Sequence, residues 1–156
     1  MLIKPKEIEK KSFAIIGAYL RRFGMPRKKR AVVARVIHAS ADLAYARGLV
    51  FSPRAIEQGL AAINAGQDII VDSTMVKAGI SDLVRDRFSC RVVCLLKDKG
   101  VAATAQRAGI TRCAAAMQKA GGIMHGAIVV VGNAPTALFE VCRLIKQGRV
   151  RPCLVI

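Results

Sequence analysis

At 156 residues the chain suits one domain and is long enough to bury a real core. Apolar residues make up 53% against 4% aromatics and no Trp, so that core is aliphatic and alanine-rich, and no apolar run reaches the ~20 residues that span a membrane. A net charge of +16 favours anionic partners (nucleic acid, an acidic membrane or a small polyanion), and composition alone does not choose among the three.

The N-terminal MLIKPKEIEKKSFAII is basic but carries Glu7 and Glu9, and it lacks a long apolar stretch ending in a small-residue cleavage site. It is read as no secretory signal, and a cytoplasmic protein is expected. The first 35 residues hold eleven Lys and Arg against two Glu. The densest run, RKKR from Arg27 to Arg30, is either a solvated loop after Pro26 or a specific anion site. In VARVIHASAD, from Val33 to Asp42, the imidazole of His38 stands among Val36, Ile37, Ala39 and Ala41. If this stretch is helical, Ala34, His38 and Asp42 share a face, and Asp42 can orient the ring. A histidine there is either a general acid or a hydrogen-bonded core residue, and local sequence leaves both open.

From Ser52 the pattern becomes regular. Ser52-Pro53 reads as an N-cap with Pro at the first helical position; Ile56, Leu60 and Ile63 follow at helical spacing, and Gly66 is the stop. Strand candidates are 68–72, 91–96, 127–131 and 153–156. Thr111 caps a helix through Ala114–Ala120 that ends at Gly121-Gly122. Pro135 opens another, in which Leu138, Val141, Cys142 and Ile145 share a face and which Gly148 ends. Continuous apolar strands separated by amphipathic helices predict an α/β fold: three layers, a mostly parallel sheet flanked by helices, Rossmann-like but without a dinucleotide motif.

Such sheets bind ligands beyond the carboxyl ends of their strands. Three junctions fit: Asp72-Ser73-Thr74-Met75, Thr111-Arg112 and Gly132-Asn133-Ala134-Pro135-Thr136. Thr111-Arg112 either clamps a carboxylate or is a capping threonine beside a solvated arginine. Met75 either touches a ligand or packs in the core. Asn133 before a helical Pro is a good cap as well as a short polar group where small residues admit a ligand. GxGxxG, GxxxxGK[ST] and GxSxG are all absent, which removes support for the familiar nucleotide sites and for serine hydrolysis. Cys90, Cys94, Cys113, Cys142 and Cys153 form no CxxC and are read as reduced thiols packed as small hydrophobes, with no metal site. His125, beside Gly126, is read as a loop or strand-edge residue without a role.

Taken in order, five segments resemble the precorrin-8X methylmutase family, which includes cobalt-precorrin-8 methylmutases. They are Ser12-Phe13-Ala14-Ile15-Ile16, then Arg35-Val36-Ile37-His38-Ala39-Ser40-Ala41-Asp42, then the nine residues from Asp72 to Ile80, then Thr111-Arg112, then Gly132 to Leu138. GNAPTAL together with IHA and its Asp makes the likeness specific, and it covers nearly the whole chain. The resemblance implies one methylmutase domain over 1–156. Members of the family continue past the strand matching Pro152–Ile156, so it also implies a chain lacking its C-terminal segment. It further implies a homodimer, no dissociable cofactor and an intramolecular methyl transfer on a corrin precursor. A methyl on ring C moves from carbon eleven to carbon twelve, giving hydrogenobyrinate or its cobalt counterpart, cobyrinate.

The family's catalytic histidine maps onto His38, with the implied role of proton donor to a ring nitrogen. Ser12, Arg35, Thr74, Met75, Thr111, Arg112, Asn133 and Thr136 are the implied substrate-binding residues, Arg35 being able instead to pair with an acid. A large apolar plate fringed with carboxylates suits the cationic balance, the small residues and the helix starts. Two rival readings remain. One is a corrinoid carrier without turnover. The other is a basic nucleic-acid binder, which five Phe, two Tyr and no binding motif make the weaker.

Overall fold

The computed structural model describes residues 4–80 and 82–156. The chain divides into two compact units, one ending at Ile56 and one beginning at Glu57.

The first unit is helical. Helix α1 (Pro5–Leu20) runs into a single 3₁₀ turn, Arg21–Phe23, which Gly24 ends in the left-handed conformation at φ 59°. Helix α2 (Arg27–Ser40) follows directly after Pro26, and a short α3 spans Tyr45–Gly48. RKKR is therefore the first turn of α2 and not a loop. The stretch folds as helix because Val33 and Ile37, one turn apart, are buried against Ile16 and Leu20, one turn apart on α1, with Ala46 closing the cluster. That burial outweighs an N-terminus crowded with cations. Helix α2 ends at Ala41, which takes φ 57°. Ser40 Oγ assists the exit, donating to the Val36 carbonyl at 2.8 Å and accepting the Asp42 N–H at 3.2 Å.

The second unit is the α/β layer structure expected. Strands β1 (Ile69–Val71), β2 (Val92–Val93), β3 (Ile128–Val130) and β4 (Leu154–Val155) form a sheet in the order β2-β1-β3-β4. Every pairing is parallel: Ile69 faces Val92 and Ile128, and Ile128 faces Leu154. Alternation divides the strand residues between two cores. Ile69, Val71 and Ile128 pack on one face with Ala62 of α4 (Ala55–Asn64), Val76 of α5 (Thr74–Gly79) and Phe88 of α6 (Asp82–Phe88). Ile70 and Val129 pack on the other with Met117 of α8 (Arg112–Ala120) and with Val141 and Leu144 of α9 (Pro135–Lys146). Coverage on both sides is why these strands read as unbroken apolar runs.

Helix α7 (Val101–Ala108) lies against α8 (Arg112–Ala120) through Val101, Ala105, Ala115 and Ala116. Alanines let α8 bury two sides at once, one against α7 and one against the sheet core.

Three details differ from the sequence reading. Helix α4 begins at Ala55, because Ser52-Pro53-Arg54 forms a turn in which Arg54 takes φ 62° and the Ala55 N–H bonds the Ser52 carbonyl. The second strand shrinks from the run 91–96 to Val92–Val93, since it is an edge strand laddered on β1 alone. In α9 (Pro135–Lys146) the buried face is Ala137, Glu140, Val141 and Leu144, whereas Leu138, Cys142 and Ile145 are exposed. A carboxylate inside that face hid the true stripe from hydropathy.

Strand β1 connects onward to β2 on one side while β3 lies on its other side. The chain's order reverses between β1 and β3, and the crevice beyond their carboxyl ends is the place where such sheets present ligand-binding loops.

Candidate functional site

In the helical unit His38 lies one residue past buried Ile37, which turns its imidazole outward; the residue is exposed. Its Nδ1 is 2.9 Å from Ser12 Oγ on α1. The Phe13 ring stacks on the imidazole at a centroid distance of 4.6 Å and 26° between planes. The Arg35 guanidinium lies over the same Phe13 ring at 4.6 Å and bonds Glu9 at 3.1 Å. Ser12, Arg35 and His38 are thus brought together, with Glu9 and Phe13 joining them. Asp42 is not the partner of His38. Helix α2 has already ended, and Asp42 Oδ1 instead accepts the Ala44 N–H at 2.8 Å. Ser12 also lines a shallow, mostly apolar hollow of about 340 Å³ with Ile8, Lys11, Ile15 and Ile16.

In the sheet unit the other candidates gather at the carboxyl edge. Ser73 caps α5 by accepting the Val76 N–H at 3.2 Å, which places Thr74 and Met75 on the exposed first turn. Met75 is 63% exposed and not a core residue. Thr74 borders a hollow of about 360 Å³ with Lys77, Ala78, Ile80, Asp82, Arg85 and Val92. Thr111 caps α8 by accepting the Ala114 N–H, and its hydroxyl meets that of Thr136 on the first turn of α9 at 2.8 Å. The amino ends of α8 and α9 therefore converge, with exposed Arg112 opening α8. Helix starts present N–H groups and partial positive charge, so this convergence suits carboxylates.

Asp72 was quoted in its junction, but the sequence assigned it no role of its own. It directly follows β1, is fully buried, and accepts three backbone N–H groups: Gly132 at 3.3 Å, Asn133 at 2.9 Å and Ala134 at 2.7 Å. It ties the turn carrying Thr74 and Met75 to the loop carrying Asn133 and Thr136. Beside it the backbone of Gly132 approaches α5 so closely that a Cβ there would lie 2.6 Å from Val76 Cγ2. The readable signal was an acidic residue ending a buried strand, where an ionised group needs a dedicated partner. The partner sits sixty residues on, beyond the reach of local pattern.

Burial pushes the Cys90, Cys113 and Cys153 thiols upward, away from the reactive thiolate. Among the described residues no group of three or more His, Cys, Asp and Glu is placed to hold a metal ion, and no helix is long and apolar enough to cross a membrane. His125 is exposed in the turn before β3.

Residues 7–156 match the family model for precorrin-8X methylmutase. The chain is 40% identical over 142 residues to the cobalt-precorrin-8 methylmutase of Methanocaldococcus jannaschii, covering 91% of this chain and 63% of that one. It is 36% identical over 156 residues to that of Priestia megaterium, covering 100% and 69%. A crystal structure of the precorrin-8X methylmutase from Thermus thermophilus superposes with a TM-score of 0.86 at 41% identity, over 96% of this chain and 72% of that one. The chain thus spans just under two thirds of the Methanocaldococcus relative and a little more of the others.

Proposed function

The chain belongs to the precorrin-8X methylmutase family, and from that premise we propose that it carries an isomerase of cobalamin biosynthesis, a (cobalt-)precorrin-8 methylmutase. A methyl group moves from carbon eleven to carbon twelve of ring C. One carbon–carbon bond breaks, its neighbour forms, and the conjugated double bonds relocate around them. Substrate and product are isomers, so no methyl donor, oxidant or dissociable cofactor enters the balance.

The observation that carries this reading is the exposed imidazole of His38, held at Nδ1 by Ser12 and stacked on Phe13. Its Nε2 lends a proton to a ring nitrogen near the migrating methyl, which polarises the conjugated system and eases the shift. The proton returns when the methyl has moved. In this assignment Nδ1 keeps its proton and donates it to Ser12 Oγ, and Nε2 gives and recovers the other. The stack on Phe13 keeps the ring in one plane.

The substrate's ionised acetate and propionate chains are assigned to Thr74, Thr111, Arg112, Asn133 and Thr136, and Met75 supplies an apolar contact to the macrocycle. Arg35 and Ser12 keep a second role at the substrate. The Arg35–Glu9 pair is exposed on both sides, at 70% and 50%, so a substrate carboxylate displaces Glu9 at little cost. The working enzyme is taken as a cytoplasmic homodimer, on the family resemblance alone, and sedimentation equilibrium tests the dimer.

The decisive experiment mixes the protein with precorrin-8 or its cobalt form and follows the visible spectrum. Moving the methyl changes the conjugation, so colour changes at constant mass. His38→Ala is expected to keep corrinoid binding and lose about 10²–10⁴ in turnover. Undiminished turnover in that variant removes the proposed acid. Tight binding by the wild type without conversion replaces the enzyme with a carrier.

A further inference from the structure

We propose that Asp72 is a positioning residue for the substrate rim. Its carboxylate fills the amide nest in front of α9 and so fixes where Asn133 and Thr136 stand. The substrate side of this proposal rests on the methylmutase reading; the structural side does not.

The N–H groups of Gly132, Asn133 and Ala134 all point at one spot, and that spot holds the Asp72 carboxylate. Successive backbone amides converging in this way form a binding place for an anion. Here the anion is the chain's own. Asp72 is fully buried, and among the described residues no cation pairs with it, so these amides are its solvation. Its backbone N–H continues the β1–β3 ladder by donating to Val130 at 3.2 Å, which leaves the side chain little freedom to leave the nest.

Two consequences follow for ligand selection. The loop opening α9 cannot drift from the β1–α5 turn, so Asn133 and Thr136 are set relative to Thr74 before any ligand arrives. In addition, the most natural carboxylate site at the switch point is closed to substrate. Acid chains must go to side-chain donors, among them the Thr111–Thr136 hydroxyl pair and Arg112. Asp72 thereby acts on specificity through the loop it holds, without touching substrate.

Asp72→Gly opens the nest, and formate is the carboxylate it lacks. In amide NMR, formate is expected to shift the Gly132, Asn133 and Ala134 signals of this variant saturably and to leave the wild type unmoved. In absorbance titration the variant is expected to bind hydrogenobyrinate about tenfold more weakly, and formate to restore the affinity. KM should rise more than kcat falls, whereas a merely structural loss would lower the amount of active protein at constant KM. Asp72→Asn keeps the shape but turns a donor toward the amides, and formate should not rescue it.

Silence of the three amides toward formate overturns the proposal, as does wild-type affinity in Asp72→Gly. Should Asp72→Gly fold neither with nor without formate, unchanged affinity in Asp72→Asn overturns it and weakened affinity supports it. If the wild type itself fails to bind hydrogenobyrinate, the methylmutase reading falls while the amide measurement still decides the nest.

Discussion

Substituting Gly132 by Ala tests how tightly the loop before α9 is wedged against α5. The added Cβ would stand 2.6 Å from Val76 Cγ2, where carbon pairs prefer about 3.5–4.0 Å, an overlap of about 1 Å. Val76 is β-branched and helical, so its χ1 has essentially one setting, and a methyl cannot swing aside. Relief requires moving α5 or the loop, and overpacking of this kind costs about 1–3 kcal/mol. A stiffer unfolded chain returns about 0.4–1 kcal/mol, leaving a net loss of about 1.3 kcal/mol at the middle of both ranges.

Urea denaturation of the wild type, Gly132→Ala, Val76→Ala and the double variant forms the cycle. Val76→Ala alone removes part-buried methyls and should cost about 1 kcal/mol. It also removes the clashing atom, so the double variant is expected to be about as stable as Val76→Ala alone instead of showing the sum of the two losses. A Gly132→Ala loss within about 0.5 kcal/mol, or strictly additive losses, would refute the packing argument.

Ser12→Ala frees the His38 ring without opening a core, so turnover should fall about tenfold while stability stays within about 0.5 kcal/mol; equal turnover in a spectral assay would remove Ser12 from the mechanism. The Arg143 hydrogen bonds hold the Glu140 carboxyl below its ordinary value, against the upward push of burial and with help from Gln118. Its stabilisation is therefore complete above the unfolded carboxyl's pKa of about 4.3 and drains away as pH falls through the lower folded value. Wild type should exceed Glu140→Gln by about 1 kcal/mol at neutral pH, since Arg143 is partly solvated, and the gap should close in acid; melting curves that stay parallel from neutral pH into acid would contradict this.

The parallel sheet was legible because both its faces are covered, which writes 69–71 and 128–130 as branched apolar runs. Thr111 as a cap was legible too, being a local device. Ser73, only quoted within its junction, caps α5 in the same way. Errors arose where a distant partner decides the outcome. RKKR looks like a loop until Val33 and Ile37 find Ile16 and Leu20. The burial stripe of α9 was misplaced because Glu140, buried with Arg143 as partner, belongs to it. At the histidine, sequence spacing nominated Asp42, and chain folding supplied Ser12 from twenty-six residues upstream. Asp72, quoted in its junction, was given no role for the same reason. Its meaning lies in backbone amides, and these carry no residue-type signal at all.

The cationic opening of α2 sets the helix dipole against Arg27, Lys28, Lys29 and Arg30. Each such opposition is worth on the order of 0.3–1 kcal/mol in dilute buffer and fades as ions gather. Electrolyte therefore acts on this helix start in the reverse of its usual sense, quieting a self-repulsion, whereas at the exposed Arg35–Glu9 pair of the same unit it loosens an attraction. Fraying there should be greatest in nearly pure water.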